Sequence, residues 1–110
     1  MADEIKKEEG IEQKPPEMTE KELFAQMFFQ LVVSLHHAAF YQMGKELNPI
    51  TGKMDRDLFQ SRISIDMLRM LRDRTAGNIA EEEKDMLTKI IFDLEMNYVE
   101  EAKKGVIIPG

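Results

Sequence analysis

Few residues in this chain have the types and spacing to do chemistry. His36 and His37 are its two imidazoles, Gly52-Lys53 is the dipeptide a phosphate-binding loop contains, and Asn48, Thr51 and Gly52 are close enough to line a small ligand site. Neighbours on a helix point about 100° apart, so His36 and His37 do not converge on one metal ion as an i,i+4 pair would. A P-loop needs Gly where this chain has Leu47 and a hydroxyl where it has Met54. No Glu-x-x-His occurs, which leaves a di-iron carboxylate bundle unsupported. With zero Cys there is no disulfide framework, thiolate nucleophile or cysteine metal site, and a reducing cytoplasm fits. No Ser or acid is placed beside His36 by local spacing, so a packed or interface histidine is its simplest role. Turn chemistry accounts for Asn48, Thr51 and Gly52, because Pro49 keeps Asn48 extended and Gly52 allows positive φ.

The elements that must position these residues are helices. Residues 1–17 are rich in Glu and Lys and reach Pro15-Pro16, with Ile5 and Ile11 among very few aliphatics, and are expected to be a disordered acidic tail. Thr19-Glu20-Lys21-Glu22 is a capping box with Met18 and Leu23 as its hydrophobic staple, so helix 1 is expected to run from there to about Met43, with Gly44 left-handed beyond it. Helix 2 should begin near Asp55 or Asp57, either of which can cap, and run to about Arg74, with Gly77 stopping it. Asn78 followed by Glu81 places the start of helix 3 near Ile79 and its end near Lys103. Residues 105–110 hold the short apolar tail Val106-Ile107-Ile108. The fold class is thus an all-α three-helix domain over residues 18–104.

Charge narrows the partners. The formal net charge of -6 divides into -4 over residues 1–22, +2 over 45–80 and -4 over 81–110. Acidic termini and the absence of a basic stripe interleaved with aromatics exclude nucleic acid as an expected ligand and disfavour anionic membrane surfaces. Acids at Asp3 and Glu4 with no basic region before an apolar core argue against a signal peptide. Residues 23–44 carry no formal charge and are long enough to span a bilayer, but Gln26, Gln30, Ser34, His36, His37 and Gln42 interrupt them, and no membrane span is expected.

Periodicity leaves apolar surface to spare. On helix 1, Phe24, Met27, Phe28, Leu31, Leu35, Ala38 and Ala39 form a broad face suited to the core, and Gln26, Gln30, Ser34, His37 and Tyr41 form a narrow polar stripe. Phe29, Val33, His36 and Phe40 recur at steps of 4, 3 and 4 as a second ridge. Helix 3 repeats this, with Phe92, Met96 and Val99 opposite its main face of Met86, Leu87, Ile90, Ile91, Leu94 and Tyr98. Helix 2 carries apolar residues around most of its circumference and leaves Arg62, Asp66, Arg69 and Asp73 as one solvated charged face. Leaving the two surplus ridges wet would forfeit on the order of 10 kcal/mol, comparable to the stability of a small domain. The expectation is a helical oligomer, most simply a dimer, meeting through Phe29, Val33, His36, Phe40, Phe92, Met96 and Val99.

The spacing of Ser34-Leu35, Asn48-Pro49-x-Thr51-Gly52, Ile65-Asp66-x-Leu68-x-x-Leu71, Thr75-x-Gly77-Asn78 and Asp93-Leu94-x-Met96-x-Tyr98-Val99-Glu100 resembles a family of short bacterial helical proteins known as a domain of unknown function. The resemblance covers roughly residues 24–100 and implies a small bacterial helical protein, without implying an activity. Two positions depart from it. Ala80 stands where the family usually has Thr before helix 3, which shifts the expected cap to Asn78, and Glu95 stands where a basic residue usually follows Asp-Leu. The function expected is a non-catalytic interaction or oligomerisation module that binds itself or another protein and needs no cofactor. A small-ligand or metal-binding regulator, or an enzyme using His36 and His37, is the alternative.

Overall fold

The computed structural model describes residues 17–105 and contains three helices, with no strand among the described residues. The tail expected over residues 1–17, apart from Glu17, and the apolar segment 106–108 lie outside the described residues. Helix α1 spans Glu20–Gln42, α2 Leu58–Arg74 and α3 Glu81–Gly105.

Local chemistry explains the helix ends. Thr19 Oγ1 accepts from the Glu22 amide at 3.1 Å, and Glu22 Oε1 accepts from the Thr19 amide at 2.9 Å, completing the capping box. Asp57, one of the two candidates, caps α2 by accepting from the Gln60 amide at 3.1 Å. The start of α3 differs from the sequence expectation. Asn78 remains in the preceding turn, its amide donating to the Thr75 carbonyl at 2.8 Å, and the helix begins two residues after Ile79. Ala80 takes the cap position without a capping side chain. Glu83 supplies the missing half by reaching back to the Ala80 amide at 2.8 Å. At its other end α3 continues past Lys103 to Gly105.

Cross-helix contacts set an up-down-up order. The starts of α1 and α3 come together at Phe24, Phe28 and Ile79, and their ends through Lys45 and Glu100, so α1 and α3 run parallel; Arg69 meets Glu95 and Arg62 meets Tyr98, so α2 runs antiparallel to both. The core lies between them, in Val32, Ala39, Met43, Ile65, Leu68, Leu87, Ile91 and Leu94, with Phe28, Leu35, Phe40 and Tyr98 packed around it.

Two buried polar side chains sit where α1 and α2 approach. Ser61 Oγ donates to the Ala39 carbonyl at 3.2 Å. The end of the Gln42 amide 2.7 Å from Ser64 Oγ also faces the carbonyls of Ala38 and Gln60 at 3.1 Å, so it is the NH2 group, its two hydrogens shared among the three acceptors. Small side chains let the two backbones close up, and each serine oxygen has a hydrogen-bond partner across the contact.

The apolar faces need correction. Phe24, Met27 and Leu31, expected in the core, are 58%, 58% and 47% exposed, and Val32 is instead the fully buried centre of α1. The charged face of α2 is also not simply solvated. The Arg69 guanidinium pairs with Glu95 as well as Asp66, and Arg62 lies over the Tyr98 ring with its guanidinium carbon 5.4 Å from the centroid. Glu95 therefore makes an acidic link between α2 and α3 at a position where the resemblance led to a basic residue.

Candidate functional site

Of the residues expected at an interface, Phe29, Phe92, Met96 and Val99 are each at least half exposed, whereas Val33, His36 and Phe40 are half-buried. Phe40 packs partly against the core and meets the His36 ring at a tilt of 51°, with ring centroids 4.9 Å apart. Helices α1 and α3 meet along a seam. Asp93 of α3 is near enough to raise the His36 pKa electrostatically, and it lies between Phe92 and the α1-facing side of its helix.

The two imidazoles have separate surroundings. His36 Nε2 is shut away from solvent without a hydrogen-bond partner. Burial and the neighbouring His37 push its pKa down, while Asp93 and Glu46 oppose them. His37 points outward, with Nδ1 3.3 Å from Glu46 Oε1. An enclosed ring nitrogen cannot reach a substrate, and among the described residues no group of three His, Asp or Glu stands within metal-binding reach.

The loop candidates are engaged in their own turns. Asn48 Oδ1 accepts from the Ile50 amide at 2.9 Å, its carbonyl accepts from the Gly52 amide at 2.7 Å, and Thr51 Oγ1 accepts from the Lys53 amide at 3.3 Å. Gly52 has φ of 71°, as a left-handed turn residue should. Asn48, Thr51 and Gly52 thus shape the connection between α1 and α2.

A charge cluster anchors that connection, and sequence reasoning missed it. Glu101 is 6% exposed, with Oε2 2.8 Å from Lys104 Nζ and 3.5 Å from Lys45 Nζ, and Oε1 3.7 Å from Arg56 Nε. Arg56 also donates to the Glu101 carbonyl at 2.7 Å, and Lys45 pairs with Glu100. The hydrogen bond from Lys104 holds the Glu101 carboxyl below the usual carboxylate range, against the effect of burial. The signal available was the helical step from Tyr98 to Glu101, which carries the core face of α3 on to an acid.

A cavity of about 570 Å³ opens between the starts of α1 and α3, where Phe24, Phe28 and Ile79 line it. It offers apolar walls and no convergent catalytic groups, because Glu83 is occupied as a cap. Helix α1 is long and apolar enough by length and composition to cross a membrane, and in this fold Val32 and Ala39 face the core.

Residues 25–100 match the family described as Domain of unknown function (DUF1844). The chain belongs to this family. No curated protein and no solved structure matches it. Within the DUF1844 span lie all of α2, most of α1 and α3, the Asn48–Gly52 turn and the exposed Phe92–Val99 ridge.

Proposed function

We propose that this DUF1844 chain is a helical self-association module without catalytic chemistry of its own. One observation carries the reading: none of its six Phe residues is fully buried, and Phe24, Phe29, Phe59 and Phe92 are 58%, 52%, 72% and 64% exposed. Covering half of such a side chain is worth about 1 kcal/mol, so association recovers what the three-helix fold leaves in water.

The seam between α1 and α3 supports pairing with a second copy. Phe29, Phe92, Met96 and Val99 expose about 400 Å² at roughly 200 Å² per large side chain, and Val33, His36 and Phe40 continue the surface inward. A standard interface covers about 800 Å² on each partner, so these residues and a polar rim suffice. The spanning alternative would strip α1 from α2 and expose the Ser61 and Gln42 hydrogen bonds to lipid.

Sedimentation equilibrium over a range of concentrations tests the proposal. The wild-type chain is expected to be an oligomer, and Phe29→Glu or Phe92→Glu to lower its mass, because a desolvated carboxylate has no partner there. Both positions are exposed, whereas Phe40→Glu would disturb the core as well. A wild-type chain that remains monomeric at high concentration refutes the proposal.

A further inference from the structure

Helix α2 has an apolar ridge on the side away from the core. Phe59, Ile63, Met67 and Met70 follow at steps of 4, 4 and 3, and Arg74 continues the line four residues on. Phe59, Met67 and Met70 are 72%, 44% and 46% exposed. On α1 the fold leaves Phe24, Met27 and Leu31 outside as well. The three exposed side chains of α2 present about 300 Å² of apolar surface at roughly 200 Å² per whole side chain, an apolar centre for the about 800 Å² that each partner of a stable dimer covers.

The charges on this surface identify its occupant. Residues 23–44 carry no formal charge, so α1 brings none to the face. Asp66 at its rim is already paired with Arg62 and Arg69. Along α2, Asp55 and Asp57 stand at the N-terminal end, where Arg56 between them is drawn to Glu101, and Arg74 occupies the last turn, where Arg72 is paired with Asp73. Two α2 ridges crossing antiparallel about a twofold axis set the basic end of each against the acidic end of the other; a parallel crossing would set like against like. The apolar ridge and the charged ends share one centre, near position 65, so a single axis serves both. From Phe59 to Arg74 the ridge is about 22 Å long at 1.5 Å per residue.

We propose that a second copy of this chain docks antiparallel on the α2 ridge, with Phe59, Met67 and Met70 meeting their counterparts and Arg74 facing Asp55 and Asp57 of the other copy. This interface is separate from the α1–α3 seam, on the far side of the polar stripe of α1. Used together, two isologous contacts close a tetramer with mutually perpendicular twofold axes.

Sedimentation equilibrium of the full chain decides it. Wild type is expected to be a tetramer, and Phe59→Glu or Met67→Glu a dimer, with helical content by circular dichroism unchanged. Phe59 is the more exposed, so its variant keeps the test sound if Met67→Glu unfolds. Arg74→Glu should weaken the tetramer at least tenfold, and Arg74→Glu with Asp55→Arg should restore it, since the swap re-creates opposite charges across the axis.

An unchanged mass for Phe59→Glu and Met67→Glu overturns the α2 interface. A swap that fails to rescue overturns the antiparallel docking. If Phe92→Glu lowers the mass and the α2 variants do not, the α1–α3 pairing stands alone; the reverse pattern removes that pairing and keeps this one. A dimeric wild type that binds phosphatidylcholine vesicles, with Phe59→Glu abolishing the binding, gives the ridge to a lipid surface and overturns the proposal.

Discussion

Replacing Glu101 by Gln should loosen the connection between α1 and α2 more than any other single surface-charge change. Three cations converge on this carboxylate, and their side chains are unequally exposed: Lys45 24%, Arg56 41% and Lys104 61%. A hydrogen bond to a charged group contributes about 1.5–3 kcal/mol, and exposed partners contribute less because water screens them. Gln keeps one acceptor and the shape but removes the charge. The expected loss is about 2 kcal/mol, lowering Tm by roughly 10 °C for a domain of this size. Lys104→Gln, at the most exposed cation, should cost under about 0.5 kcal/mol.

Chemical denaturation at a fixed protein concentration measures this, since self-association makes stability depend on concentration. Amide hydrogen exchange localises it: protection should fall across residues 45–57 while the Leu68 and Leu94 helical turns keep theirs. The pH dependence gives a further check. The folded-state pKa of Glu101 is depressed, so its contribution is complete above the ordinary carboxylate range and is lost as pH falls through the lower folded value. Glu101→Gln should therefore flatten the acid limb of the stability curve. A variant within about 0.5 kcal/mol of wild type, with its loop equally protected, would refute the reasoning.

Gly44→Ala should destabilise by about 1–2 kcal/mol, because Gly44 has φ of 90° and an added Cβ would lie 3.1 Å from Arg56 Cδ; Gly52→Ala, whose Cβ meets nothing within 4 Å, should cost less in the same denaturation assay. Lowered by burial and by His37, against Asp93 and Glu46, the His36 pKa lies below about 6.5, so stability should decline as pH falls from that value toward the folded pKa. His36→Gln should flatten that decline in urea midpoints; parallel pH profiles for the two proteins would rule it out. Thr19→Ala should cost about 1 kcal/mol by removing the hydroxyl half of the α1 capping box, read as a lower thermal midpoint.

The helix ends were legible where a side chain caps its own backbone, as at Thr19 and Asp57. They were misread at α3, where Glu83 makes the cap from inside the helix and Asn78 has turn work to do. The exposure of Phe92, Met96 and Val99 followed from periodicity because α3 has a clear polar boundary. Helix α1 has none for most of its circumference, so periodicity could not choose which apolar arc turns inward and assigned Phe24, Met27 and Leu31 to the core. Packing chose instead, through Ala39 against Ser61 and Ser64, which admit close approach of α2; the two serines are too polar to register as core in a hydrophobic pattern. Glu101 was hidden for the same reason: a charged residue reads as surface until three cations are brought to it from elsewhere in the chain.

The breadth of the apolar surface on α1 bears directly on assembly. Two neighbouring helices can cover only part of a helix's circumference, and α1 meets α2 and α3 through Val32, Ala39 and the residues beside them. By helical spacing the apolar remainder falls on two sides of the stripe of Gln26, Gln30, Ser34, His37 and Tyr41, Met27 and Leu31 on one and Phe29 and Val33 on the other. That stripe is polar but uncharged, so it can stay wet beside two buried surfaces without setting like charges against each other. The charges are placed elsewhere, on the arginine face of α2 and in the Glu101 cluster, where they fasten helices within one chain. This division of labour leaves the flanks of α1 for contacts between chains, and it makes one substitution informative: a Glu at Phe29 or at Met27 should each disrupt only its own side.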